Sequence, residues 1–465
     1  MRSKKDWALL SNAARKAIKI LEKRNTTHAE AFYTNTQTTE VTIRNSEILA
    51  QNKVDDSGVG FRVTIADNKT GFACTNTPTE KAISKAAEKA LAIARVGSGS
   101  PNFALPKASR PRAVKGLFDP RLADMAVDEA IDIAERTIRA AEEFDKRVIA
   151  KDGRVLLQSG WRGITNTLDV DLETQETKAL MYLGGAGKQN SEVTSSCYEF
   201  IFTRKADLDP ENVGESVGKK VVTMFKPQPL KGFQGAVIFA PEAVSYQLVD
   251  VLIDALKGET VMAGRSAWTE KLGQIVASEN LTIIDNATLE NGFSSRSFDD
   301  EGYSSQTTVL IEKGRLESFL HNATSADTLE TENTGNASRY AGGFNMVRSI
   351  IGSGYRTKPE IYPSNLIIKP GNKKKEELIS EMEKGVLVES MAGFPQPGSG
   401  LISAQLSNAF FIHNGEIQFP IQGGMVSGIA YDWLQQISQV SEDTKQFQNS
   451  VMPTIRIEDV NFVGA

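Results

Sequence analysis

The hydrophobic positions in the first half of the chain follow two different periods. Apolar residues recur every three or four positions over 6–24, 79–96 and 121–144, which predicts three amphipathic helices. Between these segments they recur at every second position, which predicts strands. The predicted strands cover residues 28–50, a hairpin over 58–76 with its turn at 67–69, and residues 147–150, 154–159, 163–177 and 195–203. This mixture predicts an α+β domain over residues 1–228, with a linker-like stretch at about 97–116.

After Pro229 the pattern changes to short strands separated by glycine-bearing turns. Lys313-Gly314 and Asn414-Gly415 have the turn chemistry of tight hairpins. The predicted strands cover residues 236–240, 281–285, 307–312, 316–322, 365–370, 385–389, 404–414, 416–422 and 454–457, and further helices are predicted at about 373–384 and 430–439. Residues 229–465 therefore form a predicted β-rich second domain packed with a few helices, and the fold class is α+β with two dissimilar domains.

One segment of this second domain, Phe239–Leu256, predicts a helix with an apolar face and a polar face. Its apolar face carries Val244, Leu248, Val251, Leu252 and Ala255, and its other face carries Gln247, Asp250, Asp254 and Lys257. Pro241 lies where a first turn tolerates proline, and Gly258 follows the last periodic residue as a stop signal. We expect one helix over about residues 242–257, directly after the short apolar strand.

Composition and charge narrow the class of partner. The 465 residues include 40% hydrophobic and 24% charged residues, with a net charge of −5, so no basic excess favours nucleic acid. No apolar run approaches the roughly 18 residues of a membrane span. Cys74 and Cys197 are too few for a disulfide framework. We expect a cytoplasmic protein whose partners are proteins or peptides, with no nucleic acid and no membrane.

The sequence lacks the common signatures of catalysis. His28, His321 and His413 are each isolated in or beside predicted strands, where a hydrogen-bonded or surface histidine is the more common role than a metal ligand. Gly184–Gly187 lacks the lysine and the serine or threonine of a phosphate loop, and a turn is predicted there. No nucleophile elbow is present, because the nearest match, Gly352–Gly354, lies in a predicted loop.

Four patterns in the second domain together resemble one family. They are Ser297–Gly302, Thr308–Leu316, Asn333–Arg339 and Pro363–Gly371, and their content and order are similar to those of the TldD/PmbA family. Ala29–Tyr33 and Gly58–Val63 resemble the N-terminal region of the same family, so the resemblance covers nearly the whole chain.

The resemblance implies a subunit without its own metal site. In the TldD-type subunit of this family, a His-Glu-x-x-x-His motif and a downstream cysteine hold a metal, which acidifies a water for peptide hydrolysis. Here the matching position is Val249–Asp254, in a register uncertain by about one residue, so Val249, Asp250 and Asp254 replace the three motif residues and no cysteine follows Cys197. The second subunit type, PmbA or TldE, also lacks the motif.

The implied function is that of a non-catalytic subunit, without cofactor or metal, of a metalloprotease that trims or degrades unfolded peptides. Its implied partner is a TldD-like subunit carrying the zinc site. One alternative is a stand-alone homodimer that binds peptides or regulates another enzyme. Another is a hydrolase that uses Asp250, Asp254 and the carboxylates of 299–301 around a hard metal.

The acidic residues Asp299, Asp300 and Glu301, together with Arg339, are candidate substrate-binding residues. Adjacent carboxylates can bind a substrate amine or exchange protons, and an arginine can hold a peptide carboxylate with two hydrogen bonds. The more common role of such an acidic run is a capped turn with solvated charges, and that of such an arginine is a structural ion pair. The sequence leaves both roles open.

Overall fold

The computed structural model describes residues 4–99, 102–339 and 354–464. Its helices are α1 (Lys4–Glu22), α2 (Glu80–Val96), α3 (Pro120–Asp124), α4 (Val127–Phe144), α5 (Pro210–Thr223), α6 (Pro241–Gln247), α7 (Val249–Leu256), α8 (Gly258–Met262), α9 (Ala323–Thr328), α10 (Lys375–Ser380) and α11 (Ala430–Gln435). None of these helices is both long enough and apolar enough to cross a membrane.

The strands before residue 228 form one antiparallel sheet in the order β3-β2-β1-β4-β5-β6, with β7 also paired to β5. They are β1 (His28–Arg44), β2 (Glu47–Ile65), β3 (Lys69–Thr75), β4 (Val148–Asn166), β5 (Asp171–Gln189), β6 (Glu192–Val193) and β7 (Cys197–Thr203). The predicted turn at 67–69 is confirmed, since Asp67 and Asn68 both have positive φ. However, 28–50 and 58–76 are not separate hairpins, because β2 runs without interruption through both.

A second sheet contains most of the remaining strands, in the order β11-β10-β9-β14-β20-β18-β16-β15-β8. The remaining strands are β8 (Phe233–Phe239), β9 (Ile283–Asn286), β10 (Thr307–Glu312), β11 (Arg315–Leu316), β12 (Ala337–Ser338), β13 (Glu360–Ile361), β14 (Leu366–Ile368), β15 (Lys384–Ala392), β16 (Leu401–His413), β17 (Glu416–Pro420), β18 (Met425–Ile429), β19 (Ile437–Phe447) and β20 (Ser450–Val463). In the second sheet β17 also pairs with β16 and β19 with β20, whereas β12 and β13 pair with each other in a separate two-stranded sheet. Because β8 pairs with both β15 and β20, five of these strands close into a ring. The hairpin turns at Lys313-Gly314 and Asn414-Gly415 are confirmed, with positive φ at all four residues. The mixed helices and sheets confirm the α+β class.

The two faces of the first sheet differ in chemistry because side chains alternate along each strand. In β1 the odd positions near the two ends of the strand, such as Ala31 and Val41, are apolar and pack in the cores beneath the helix pairs α1–α2 and α4–α5. The even positions, such as Glu30 and Thr34, lie on the opposite face. That polar face lies against the second half of the chain, where the candidate site is found.

Several predicted elements differ from the structure. Helix α5 was not predicted, although Asp209 caps its N-terminus and Pro210 lies in its first turn. Gly184–Gly187 lies inside β5 and not in a turn; a Cβ at Gly185 would lie 2.6 Å from Val217 of α5, so close helix packing explains this glycine. The helix predicted at 430–439 ends at Gln435, because the chain becomes strand β19 there. The strand predicted at 316–322 is reduced to the short β11, and Gly352 and Ser353 lie outside the described residues.

Candidate functional site

The segment at the family's metal-motif position is two short helices, and not the single predicted one. Strand β8 ends at Phe239, and α6 and α7 are separated by Leu248, whose backbone (φ −100°, ψ −31°) departs from ideal helix geometry. The break is small, because the Leu248 amide still donates to the Val244 carbonyl and the Leu252 amide to the Leu248 carbonyl. Gly258 does not end the chain's helical path, since it begins α8.

The replaced motif residues have different surroundings. Val249 is buried among the aliphatic side chains of the main core. Asp250 and Asp254 are half-buried, and burial raises the pKa of Asp250 while Lys257 opposes the shift. Gln247, predicted on the polar face, is buried and donates to the Gly393 carbonyl at 3.1 Å. The segment thus works as a packing element between sheet strands.

No group of three or more His, Cys, Asp or Glu side chains is arranged to hold a metal ion within residues 4–99, 102–339 and 354–464. Asp250, Asp254 and the carboxylates of 299–301 therefore do not converge on one metal position. His321 is buried, its Nδ1 lies 3.1 Å from Ser325 Oγ, and burial lowers its pKa to about 4. His28 is half-buried and His413 is exposed on another strand.

The acidic run at 299–301 is buried, so the expectation of solvated charges is wrong. Asp299 and Glu301 are 0% exposed and Asp300 is 7% exposed. Asp299 accepts hydrogen bonds from the backbone amides of Glu301, Tyr303 and Ala337 at 3.0, 2.8 and 3.1 Å. It therefore closes a tight turn, as predicted, but inside the protein.

Asp300, Glu301 and Arg339 belong to one ionic network that joins the two halves of the chain. Arg62 of β2 binds Glu30 of β1 (Nε to Oε1, 2.9 Å) and Glu301 (Nη2 to Oε1, 2.7 Å). Arg339 pairs with the other side of Glu30, and its backbone amide donates to Asp300 Oδ2 at 2.6 Å. Burial disfavours the charge of Arg62, but Glu30 and Glu301 outweigh it and raise its pKa. The structural ion pair is thus the observed role of Arg339.

A cavity of about 170 Å³ lies beside this network. Its walls come from β1, β4 and β5 on one side and from residues 293–296, 362–364 and 448–449 on the other. Asp300 and Arg339 line the cavity, whereas Asp299 and Glu301 are not among its lining residues. The structure therefore brings all four predicted binding residues into one region but leaves only two of them at the cavity wall.

Two further arginines hold this wall in place. Arg162 of β4 pairs with Asp300 and with Glu176 of β5 (Nε to Oε1, 2.5 Å). Arg204 is 1% exposed and donates to four backbone carbonyls, those of Leu117, Thr177, Gly292 and Ser295, at 2.6–3.2 Å. The charges of Arg162 and Arg204 overcome burial and lower the pKa of Glu176 to about 2.

Sequence reasoning did not find Glu30, Arg62, Arg162, Arg204 or the cavity-lining Lys178. Charged residues at every second position of a strand form the same sequence pattern whether that face is covered by protein or lies in water. The strands here have helices on one face and the second half of the chain on the other. A signal was nevertheless present, since Glu30 and Arg62 lie within the two N-terminal segments that resemble the family.

Three family models match the chain in sequence order. They are described as PmbA/TldA metallopeptidase domain 1 (residues 29–94), central domain (residues 120–225) and C-terminal domain (residues 234–464). The chain belongs to the PmbA/TldD family. The family models thus divide the part before residue 228 in two, with the linker-like stretch between them.

Relatives from bacteria and archaea match over most of the chain. A protein named metalloprotease from Methanothermobacter thermautotrophicus is 28% identical over 83% of this chain and 82% of its own length. Metalloprotease PmbA from Escherichia coli O157:H7 is 26% identical over 94% of this chain and 92% of its own length. The crystal structure of TldE from Thermococcus kodakarensis superposes with a TM-score of 0.88, at 26% identity, over 97% of this chain and all of that one.

Proposed function

We propose that this PmbA/TldD family member is the non-catalytic subunit of a TldD/TldE-type metalloprotease complex that trims or degrades unfolded peptides. The observation that supports the proposal is the composition of α7. At the position where the motif's first histidine would stand, Val249 packs into the aliphatic core. Its side chain has no atom that can bind a metal or accept a proton from water.

The two aspartates of α7 do not replace the missing ligands. A hydrolytic metal needs several converging donors and one open position. Asp250 and Asp254 are four residues apart on one helix face and are joined by no third metal-binding side chain in the described part of the chain. In the proposed complex the metal and the attacking water belong to the TldD-like partner, and this chain needs no cofactor of its own.

In this proposal the predicted binding residues act through the shape of the cavity. Asp300 and Arg339 form part of its wall, and Asp299 and Glu301 fix that wall from behind through backbone amides and Arg62. A rigid cavity between two halves of the chain is a common location for a ligand site. Unfolded peptides are the proposed ligand class.

The test is to produce this chain with the chain of the same organism that carries an intact His-Glu-x-x-x-His motif. Size-exclusion chromatography gives the assembly, and the cleavage rate of a chemically unfolded casein gives the activity. We expect a heterodimer that cleaves the substrate, and no cleavage by this chain alone. Glutamate-to-glutamine in the partner's motif should abolish cleavage, while Asp250→Asn with Asp254→Asn here should leave the rate unchanged within about twofold.

Two outcomes overturn the proposal in different ways. Cleavage by this chain alone, lost in the double aspartate variant, would make it a hydrolase with an atypical carboxylate site. Failure of the two chains to associate would remove the heterodimer and leave the stand-alone peptide-binding homodimer.

A further inference from the structure

The cavity between the two halves of the chain is lined by one cation that has no hydrogen-bond or ion-pair partner among the described residues. Its lining includes four arginines and Lys178. The Lys178 ammonium forms no hydrogen bond or ion pair with any described residue, and its nearest recorded contact is the Phe293 ring, with Nζ 5.3 Å from the centroid. This isolation distinguishes Lys178 from every other cation of the wall.

The four arginines are all engaged. Arg162 pairs with Glu176 and Asp300, and Arg339 pairs with Glu30. Arg204 is bound by four carbonyls, as described above, and Arg296 donates to the carbonyls of Gly335 and Ala337 at 3.1 and 3.0 Å. A ligand that bound any of them strongly would have to displace an existing partner.

The position of Lys178 follows from the register of the sheet. Glu176 and Lys178 are two residues apart on β5 and so point to the same face, opposite Gly160 and Gln158 of β4. A Cβ at Gly160 would lie 2.8 Å from Thr36 Cγ2, so β1 and β4 approach each other closely at this point. Lys178 lines the cavity from the same face of β5 as Glu176.

A second polar group without a partner faces the same space. Thr34 of β1 is 7% exposed, lines the cavity, and its hydroxyl has no hydrogen-bond partner within residues 4–99, 102–339 and 354–464. Buried hydroxyls are nearly always hydrogen-bonded, by protein, water or ligand. The Lys178 ammonium is the charged donor for a carboxylate, and the Thr34 hydroxyl, two strands and four residues away in the register, is a separate donor for another polar group of the ligand.

The rest of the lining indicates what accompanies that carboxylate. Phe32, Trp161, Phe293 and Tyr362 place aromatic surface around the cavity. The Lys178 ammonium matches an anionic group of the ligand, and the aromatic surface matches an apolar group attached to it. Inorganic phosphate has no apolar group to contact that surface.

We propose that the Lys178 cavity binds the free C-terminal carboxylate of a peptide, with the peptide's last side chain against the aromatic wall. This inference rests on the proposed role in peptide processing and names the part of the peptide that this subunit would hold. Lys178 is then a binding residue, and Arg162 and Arg204 are positioning residues that keep β4, β5 and the 292–295 loop around it.

The electrostatics of the cavity agree with this assignment. Burial and the nearby charge of Arg204 lower the pKa of Lys178 to about 8. A bound carboxylate would reverse that shift, because an opposite charge favours the ammonium form. Binding should therefore weaken as the pH rises above 8.

Isothermal titration of the isolated full-length chain tests the proposal. The probes are N-acetyl-Ala-Ala-Phe with a free carboxylate, the same peptide as its C-terminal amide, and inorganic phosphate. We expect the acid to bind at least about tenfold more tightly than the amide, which is the size of one charge-assisted interaction. We also expect phosphate to bind more weakly than the acid.

Three variants assign the effect to one side chain. The Lys178→Gln variant should bind the peptide acid and the peptide amide equally. The Lys178→Arg variant should prefer the acid, as the wild type does, and should keep that preference up to pH 9. Lys188→Gln, which removes an exposed lysine from the same strand, should behave as the wild type. Equal binding of acid and amide by the wild type, an undiminished preference in Lys178→Gln, or tighter binding of phosphate would each overturn the proposal.

The outcome is separable from that of the proposed function. The titration needs no partner chain, so a carboxylate preference can be found even if the heterodimer does not form. Conversely, a heterodimer that cleaves peptides while this chain shows no preference would leave the subunit role intact and remove only the assignment of the cavity.

Discussion

The substitution Glu30→Gln tests whether the buried ionic network stabilises the protein. The Glu30 side chain is 0% exposed and is bound by Arg62 and Arg339, which are themselves 7% and 4% exposed. Glutamine keeps the size and one acceptor of the side chain but removes its charge. The two arginines would then share one fewer buried carboxylate.

The expected loss follows from the burial of the pair. Removing one partner of a buried ion pair costs about 3–5 kcal/mol, because the remaining charge is left without compensation away from water. The lower end applies here, since Arg62 keeps Glu301 and the glutamine oxygen still accepts a hydrogen bond. We therefore expect the free energy of unfolding to fall by about 3 kcal/mol.

Glu211→Gln is the matched control, since it is the same substitution in another arginine pair. Glu211 binds Arg136 (Oε1 to Nε, 2.7 Å) on the surface, with 49% and 40% of the two side chains exposed. Water and salt screen such a pair, so its loss should be close to the error of the measurement. Urea denaturation at pH 7.5, followed by far-ultraviolet circular dichroism, gives both values. Equal losses in the two variants would refute the reasoning, because burial would then have no effect on the strength of the pair.

Three further predictions concern separate parts of the chain. A maleimide should label exposed Cys74 at once and Cys197 only after unfolding, because burial raises the pKa of Cys197 to about 12. Mass spectrometry measures the labelling of each cysteine, and rapid labelling of both would contradict the buried position of Cys197. Gly273→Ala should lower the free energy of unfolding by about 1 kcal/mol, because alanine is strained at the positive φ of this residue. Gly314→Ala should lower the melting temperature several times more than Gly273→Ala does, because its Cβ would also lie 2.2 Å from the Ala277 carbonyl oxygen. Similar shifts of the melting temperature in the two variants would exclude the clash. Burial raises the pKa of Glu242 to about 7, so folding binds a proton between pH 4.5 and 7 and stability falls as pH rises through that window. Glu242→Gln should remove that fall and stabilise the protein at pH 8 by about 2 kcal/mol, allowing for partial exposure, and an unchanged urea midpoint at pH 8 would contradict it.

The elements with strong local signals were predicted best. Helix α2 begins after Thr79, whose side chain accepts a hydrogen bond from the Ala82 amide, and ends at Val96 as its periodicity indicates. The two hairpin turns in the second half were also predicted, because glycine, and in one turn the asparagine before it, adopts positive φ readily. In each case residues within one short segment determine the outcome.

The buried network could not be predicted because its members are far apart in the sequence. Arg339 and Glu30 are separated by 309 residues, and Arg62 and Glu301 by 239. The local sequence shows that Asp299–Glu301 is acidic, but it does not show that arginines of the first sheet form ion pairs with these residues. The resemblance to the family identified the right segments, yet the contacts between them required the fold.

The polar face of the first sheet has a consequence for the order of folding. Residues 4–223 contain the first sheet and helices α1, α2, α4 and α5, so they can form the sheet and cover much of one face while the opposite face is still in water. At that stage the opposite face exposes charged side chains beside apolar ones such as Phe32, Leu156 and Phe200, which pack against the second half in the folded protein. When the second half docks, only the native alignment gives each arginine its carboxylate or carbonyl, and a shifted one would bury charges without partners. We therefore expect the ionic interface to disfavour misaligned docking of the two halves.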